Sequence, residues 1–346
     1  MRKILKFCFN TTAWSPSRSE WLALLSSLPK EERERTTSYM FKRDSKQTLI
    51  GQALIRYCIK CFLNTDWQNI CIGRNSKNRP FLKLKETLCL SQLKSVDFVI
   101  DFNVSHSGDY TIIIAGMFPT KKKADDLEES PKLGSDVMKI DITRSKIRHP
   151  NESDEFLFQH QLELFERVVE SKFSNAEKAY IHNRPNPVER LTAFYRLWSL
   201  KESYVKAQGD GIGFDIKRIE CIPRSDLLFD LNSKKGLVIE DTQILVDSKL
   251  VKNCRFYEQY FMYSSDSVPN QYPSQRPHLH IMTHCIIESD KSIKDRKDAD
   301  QIGEFVEIGL NDILKDLSYV ENIEEFSEFE EMWKGFSQKD EKPVDF

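Results

Sequence analysis

The stretch LWSLKESYVKAQGDGIGF, residues 197–214, constrains the fold most, because it starts with helix-forming residues and ends in three closely spaced glycines. Trp198, Glu202 and Lys206 are spaced four residues apart, so they lie on one stripe of the predicted helix. Apolar residues at other positions supply its buried side. A carboxylate and an ammonium at the edge of an apolar face could perform chemistry. They could equally form a surface ion pair that contributes only about 0.2–0.5 kcal/mol.

Length and charge exclude several classes of protein. A chain of 346 residues predicts about two domains. The net charge of −2 argues against a general nucleic-acid binder, so any anion site must be a local cluster of bases. No apolar run approaches the ~20 residues that span a bilayer. The first residues, MRKILKFCFN, are interrupted by Lys6 and do not resemble a secretory signal. We therefore predict a cytoplasmic protein without nucleic-acid or membrane partners.

Two clusters of metal-ligand residue types need an explanation. Cys58-x-x-Cys61 lies in the helix-like run ALIRYCIKCFL, and no second such pair follows. Structural zinc usually requires two ligand pairs. His278, His280 and His284 alternate as the residues of a strand do. The sequence favours core positions over zinc in both places, and the scattered cysteines are typical of a reducing compartment.

The amino-terminal half is predicted to contain two or three helices with many bases. Ser17 and Glu20 have the spacing of a capping box at the start of the first helix. A second helical segment and the loop IGRNSKNRPFLKL carry basic residues, which are Arg33, Arg35, Lys42, Arg43, Lys46, Arg74, Lys77 and Arg79. A solvated helix face explains such a charge run without any ligand.

Two strand predictions bear on function. VDFVIDFNVSHSGDYTIIIAGMF predicts two strands joined by the turn SHSGD, which leaves Ser105 and His106 at a strand end. LGSDVMKIDI predicts a strand with Asp136 inside it. Burying an ionised carboxylate costs free energy unless the group is paired or coordinates a metal. Asp136 is therefore the acid that most requires an explanation.

The domain prediction follows from composition. The charged stretch at 120–132 lacks apolar periodicity and predicts a linker. We predict an amino-terminal subdomain over 1–132, a second over 133–287, and a charged, acidic helical tail over 288–346 that packs on the body or on a partner. Within the second subdomain, LVIED and QILVD are short strand candidates.

Three stretches in order, FNVSHSGDY, GSDVMKID and FYRLWSLKESYVKAQGDGIGF, resemble the signature of the 4'-phosphopantetheinyl transferases of the surfactin-synthetase type. The resemblance extends upstream through RNSKNRP and covers about residues 10–220. It implies an α+β fold of two similar α/β subdomains related by a pseudo-twofold axis, with coenzyme A bound between them.

The resemblance also implies the roles of individual residues. Asp136 and Glu202 match the family's magnesium ligands, Glu202 matches its general base, and Lys206 matches a lysine that contacts the diphosphate. The residues implied to bind coenzyme A are Arg35, Arg74, Asn75, Ser76, Lys77, Asn78, Arg79, Asn103, Val104, Ser105, His106, Asp136 and Lys206. Bacterial relatives carry a second acid where this chain has Met138, which implies that magnesium is held by two carboxylates with phosphate oxygens and water. Lys42, Arg43 and Lys46 could equally guide an acidic carrier protein.

The implied reaction is transfer of the 4'-phosphopantetheine arm of coenzyme A to a serine of apo acyl or peptidyl carrier proteins, with release of adenosine 3',5'-bisphosphate. The implied partners are carrier domains of the fatty-acid synthase type and of the aminoadipate-semialdehyde dehydrogenase type, in fatty acid biosynthesis and lysine metabolism, and the implied state is a monomer. A non-catalytic coenzyme A or carrier-protein binding module is one alternative. A magnesium-dependent nucleotidyl transferase or kinase is another, and the absence of G-x-x-x-x-G-K-[ST] and G-x-G-x-x-G loops counts against it. The glycines at 209–213 follow a helix, which suits a helix end.

Overall fold

The computed structural model describes residues 2–89, 97–120, 130–140, 152–226, 235–263, 278–288, 303–315, 317 and 327–341. The chain divides into two compact units, Met1–Ser130 with Phe305–Val344, and Pro131–Glu304. Both units mix helices and sheet, which confirms the α+β class. The pseudo-twofold relation between subdomains and the limits of the predicted domains stay predictions. The described residues within Phe305–Val344, which belong to the predicted tail over 288–346, are grouped with the first unit.

The strands are β1 (Lys3–Asn10), β2 (Ile72–Arg74), β3 (Pro80–Leu82), β4 (Phe98–Ser107), β5 (Tyr110–Pro119), β6 (Lys132–Ile140), β7 (Ile219–Ile222), β8 (Gln243–Val246), β9 (Lys249–Leu250), β10 (Cys254–Tyr263), β11 (His278–Ile287) and β12 (Val306–Glu307). The α-helices are α1 (Arg18–Ser26), α2 (Lys30–Thr37), α3 (Lys42–Leu63), α4 (Leu84–Thr87), α5 (Asp154–Lys172), α6 (Asn175–His182), α7 (Pro187–Gln208), α8 (Leu310–Leu314) and α9 (Ser327–Ser337).

The first unit is built on a sheet of order β12-β1-β5-β4, in which β12 is parallel to β1 and the other pairs are antiparallel. The predicted hairpin is confirmed, since β4 and β5 join through a two-residue turn at Gly108 and Asp109. Gly108 has φ 56°, which glycine adopts without strain. Helix α3 packs on this sheet and buries its apolar side with Trp21 and Trp67. The predicted capping box at Ser17 is also present.

The second unit is built on the antiparallel sheet β10-β11-β6, and α7 packs on β6 and β11. Asn186 caps the start of α7, directly before Pro187. The helix ends at Gly209, whose φ of 77° lies in the left-handed region. The glycines at 209–213 thus close a helix, as predicted.

One local strand prediction is wrong, and the predicted core position of Cys58 is confirmed. LVIED is not a strand: Ile239 forms only an isolated bridge to Glu258, and Leu237 is 84% exposed. Cys58 lies inside α3 and is buried in the core of the first unit. None of the helices described here has the length and apolar character needed to cross a bilayer.

Candidate active site

Strand β6 presents Asp136 to helix α7. Asp136 is paired in register with Thr283 of β11, and the Thr283 hydroxyl lies 3.0 Å from that of Ser199 on α7. Residues paired in register point to the same face of a sheet. Asp136 therefore faces the helix that carries Glu202 and Lys206.

Gly134 brings helix and strand into unusually close contact. A Cβ atom at Gly134 would lie 1.9 Å from the carbonyl oxygen of Ser203 and 2.5 Å from the backbone nitrogen of Ala207. Only glycine permits this approach of the α7 backbone, two residues before Asp136. Sequence reasoning did not assign Gly134 a role, although a glycine inside a strand pattern is a known signal of close backbone approach.

The three predicted catalytic and metal-binding residues come together at this contact. Lys206 Nζ lies 2.5 Å from Asp136 Oδ1, and Asp136 is buried. Burial raises the pKa of Glu202, the charge of Lys206 lowers it, and the charge of Asp136 raises it. Glu202 is therefore near both charged groups. The cluster offers two carboxylates and one ammonium in a largely buried place.

The donor set fits a magnesium ion. Asp136 and Glu202 supply hard carboxylate oxygens, and the electrostatic repulsion between them is what a divalent cation would relieve. Magnesium commonly binds one or two carboxylates and completes its shell with water and substrate phosphate. In the described residues, a group of three ligand atoms occurs elsewhere, at Glu166, Glu170 and His182. Glu170 and His182 are exposed, and we assign no metal there.

In the first unit, two predicted coenzyme A ligands interact through their charges. Arg35 is in the last turn of α2, and Arg74 ends β2. Partial burial lowers the pKa of Arg74, and the charge of Arg35 lowers it further. Arg74 is oriented by a 2.9 Å hydrogen bond from its Nη1 to the carbonyl oxygen of Asn78. Two guanidinium groups held near each other favour a polyanion such as a phosphate ester.

The loop after Arg74 is organised by its own side chains. The Asn75 side-chain oxygen accepts hydrogen bonds from the backbone N–H groups of Lys77 and Arg79, at 3.0 and 2.9 Å. Asn78 has φ 62°, a turn conformation that asparagine tolerates. Ser76 and Lys77 are exposed. The structure therefore presents this predicted segment as a tight turn beside Arg74.

Arg79, predicted as a coenzyme A ligand, contacts a carboxylate on the neighbouring strand. Its Nη2 donates to both carboxylate oxygens of Asp101 on β4, at 3.0 and 2.8 Å. The guanidinium group of Arg79 thus holds the loop after Arg74 against β4.

The β4 residues predicted at the site differ in exposure. His106 is exposed near the end of the strand, whereas Asn103 and Ser105 are buried. Val104 packs its side chain against the core of the unit. Lys46, considered as a guide for a carrier protein, is buried with Nζ 3.4 Å from Glu341, so it is poorly placed for that role.

The comparisons with known proteins identify the family of the chain. Residues 12–118 match the family model described as "4'-phosphopantetheinyl transferase, N-terminal", and residues 132–251 match that of the "4'-phosphopantetheinyl transferase superfamily". L-aminoadipate-semialdehyde dehydrogenase-phosphopantetheinyl transferase of Rattus norvegicus is 32% identical over 254 residues, covering 73% of this chain and 70% of the relative. The chain belongs to the 4'-phosphopantetheinyl transferase superfamily.

Other relatives of this transferase support the same assignment. L-aminoadipate-semialdehyde dehydrogenase-phosphopantetheinyl transferase of Homo sapiens is 30% identical over 254 residues, which cover 73% of this chain and 70% of that protein. The 4'-phosphopantetheinyl transferase gsp of Aneurinibacillus migulanus is 25% identical over 223 residues, which cover 64% of this chain and 73% of that protein. The predicted family is confirmed, and the chain is an enzyme of the type that transfers phosphopantetheine to carrier proteins.

Proposed function

We propose that this transferase moves the 4'-phosphopantetheine arm of coenzyme A to a carrier-protein serine in a magnesium-dependent reaction and releases adenosine 3',5'-bisphosphate. The observation that supports it is the meeting of Asp136, Glu202 and Lys206 where α7 touches β6. Asp136 and Glu202 would hold the ion. When bound, magnesium neutralises negative charge on the diphosphate.

Glu202 is proposed to accept the proton of the attacking serine. Its pKa is raised by burial, so it binds a proton more readily than an exposed glutamate does. A positioned general base typically accelerates a reaction ~10²–10⁴-fold. Lys206, on the next turn, is partly exposed and can donate to a diphosphate oxygen while it contacts Asp136.

Arg35 and Arg74 are proposed to bind phosphate groups of coenzyme A, with His106 as a further contact. The electrostatic interaction between the two guanidinium groups supports this proposal. We infer that Asn75 shapes the adjoining turn and that Arg79 fixes it to β4. Both act on the position of Arg74 and need not touch the ligand.

We propose apo carrier domains of the fatty-acid synthase and aminoadipate-semialdehyde dehydrogenase types as acceptors, and a cytoplasmic monomer as the acting form. The names of the rat and human relatives include the second acceptor.

Mass spectrometry of an apo carrier protein incubated with this protein, coenzyme A and magnesium tests the proposal. We expect the carrier to gain the mass of one phosphopantetheine arm. Glu202→Gln should retain coenzyme A binding and lose transfer, whereas Glu163→Gln, at an exposed position of α5, should behave as the wild type. Wild-type turnover in Glu202→Gln would remove the role assigned to Glu202, and no mass gain with wild-type protein would refute the reaction.

A further inference from the structure

Helix α2, which carries Arg35, is intrinsically weak. It spans eight residues, and isolated helices shorter than ~12–15 residues are marginal in water. Its last turn contains two β-branched residues, Thr36 and Thr37, whose hydroxyls donate back to the carbonyl oxygens of Glu32 and Arg33, at 2.8 and 3.0 Å. Such bonds compete with helical structure. The position of Arg35 therefore depends on contacts from outside α2.

The start of α2 is held by a buried ion pair. The guanidinium group of Arg56 on α3 is fully buried. It donates one hydrogen bond to each carboxylate oxygen of Glu32, at 2.9 and 3.0 Å. Two parallel hydrogen bonds fix this end of the helix in orientation as well as distance. The pair lies in the first turn of α2, so it does not reach the last turn, where Arg35 lies.

The end of α2 is held by a residue from far along the chain. Lys339 Nζ donates to the carbonyl oxygen of Thr37 at 2.6 Å and to the Ser45 hydroxyl of α3 at 3.3 Å. The last carbonyls of a helix have no partners within it, and a cation there is favoured by the helix dipole. Burial lowers the pKa of Lys339, so its ammonium has lost part of its water and relies on these protein acceptors.

The residues after Lys339 brace the start of α3. Phe41, at the N-cap position of α3, provides no side-chain cap, and the Lys42 N–H instead donates to the carbonyl oxygen of Asp340 at 2.9 Å. A carboxylate oxygen of Glu341 lies 3.4 Å from Nζ of Lys46, which also belongs to α3. Residues 339–341 therefore bind both helices at the corner where α2 meets α3.

The segment that precedes residues 339–341 packs on the core of the first unit. Phe336 stacks on Trp21 with ring centroids 3.7 Å apart. Phe329 lies against the guanidinium group of Arg33, 5.1 Å from its ring centroid, and Arg18 forms an ion pair with Glu330. A segment fixed by stacked aromatic rings and an ion pair can hold Lys339 in one place.

We propose that Lys339 is a positioning residue for coenzyme A recognition, which holds the last turn of α2 and so fixes Arg35 relative to Arg74. The inference rests on the proposed function, in which those arginines bind phosphate groups. The bond from Lys339 to the carbonyl oxygen of Thr37 fixes the backbone two residues from Arg35.

The test compares Lys339→Met with Lys334→Met, which removes an exposed lysine from the same segment. Calorimetric titration should show coenzyme A binding about tenfold weaker in Lys339→Met, the effect of one lost hydrogen bond to a charged group. The KM for coenzyme A should rise with it, while kcat and the KM for the carrier protein stay near wild type. Lys334→Met should match the wild type, and Lys339→Arg should restore affinity. A general loss of structure would lower the kcat instead.

Amide hydrogen exchange provides the second readout. Residues 34–38 should exchange faster in Lys339→Met than in the wild type or in Lys334→Met. If Lys339→Met does not fold, Lys339→Gln, whose side chain is neutral and shorter, gives the same two measurements with the same expected direction. Unchanged coenzyme A affinity in a folded variant, or unchanged exchange in α2, would overturn the inference. Failure of the wild-type protein to bind coenzyme A would refute the proposed function instead, and the exchange data would still decide whether Lys339 braces α2.

Discussion

Replacing Gly134 with alanine tests whether the contact between β6 and α7 sets the geometry of the site. The new Cβ would lie 1.9 Å from Ser203 O, 2.5 Å from Ala207 N and 2.9 Å from Ala207 Cβ, whereas ordinary contacts begin at 3.4 Å. These atoms belong to the helix backbone or to a short side chain, so none of them can rotate away. The helix and strand must separate by about 1.5 Å, the difference between 3.4 and 1.9 Å.

This separation acts directly on the charged cluster. The 2.5 Å contact between Lys206 and Asp136 would open to about 4 Å, beyond hydrogen-bonding distance. Glu202 lies on the same helix and would move with Lys206. A misplacement of about 1 Å at a reacting centre can lower a rate ~10²-fold. Overpacking of this kind also typically costs about 1–3 kcal/mol of stability.

The assay is transfer to an apo carrier protein as a function of magnesium concentration. We expect Gly134→Ala to fold with a lowered Tm, to turn over ~10²-fold more slowly, and to need more magnesium for half-maximal activity. Gly213→Ala is the matched control, since a Cβ atom there would meet nothing within 4 Å, and it should retain wild-type rate and magnesium dependence. A folded Gly134→Ala with wild-type rate and magnesium dependence would refute the reasoning.

Two further predictions concern the packing of the fold. Arg196→Met should lower the free energy of unfolding by about 3–5 kcal/mol in urea titrations, because it leaves Glu258 buried without the guanidinium group that now binds it at 2.6 and 3.0 Å. Arg218→Met, which breaks an exposed pair, should change stability little, and equal effects would contradict the burial argument. Alkylation at pH 8 followed by peptide mass spectrometry should modify the exposed Cys89 well before Cys58, because burial raises the pKa of the Cys58 thiol. Equal labelling of the two in folded protein would contradict that.

Local sequence signals predicted the elements that carry the site. The glycine at 209, predicted to end a helix, ends α7 in the left-handed region. The β4–β5 hairpin follows from two apolar runs around a Gly-Asp turn. These signals act over a few residues, so they are visible without a fold. The resemblance then attached chemistry to Asp136 and Glu202, which the structure places near each other.

Contacts between distant residues could not be predicted in this way. Nothing near Arg79 in the chain shows that Asp101 binds its guanidinium group. Lys46 belongs to a charge run typical of a solvated face, yet Glu341 pairs with it from the far end of the chain. The LVIED segment has the composition of a strand, but its isolated bridge to β10 does not extend into a ladder. Each outcome depends on tertiary packing, which overrides local preference.

The grouping of residues from Phe305 onward with the first unit has a consequence for biosynthesis. The second unit, Pro131–Glu304, interrupts the first in the chain, and β12 completes an edge of the first sheet by pairing in parallel with β1. A ribosome therefore makes β1, α2 and α3 long before it makes β12 and residues 339–341. The second unit is continuous and can fold as soon as it emerges. The first unit cannot complete its folding until the later segment is synthesised. Until then one edge of β1 has no neighbouring strand, and α2 and α3 lack their contacts with residues 339–341.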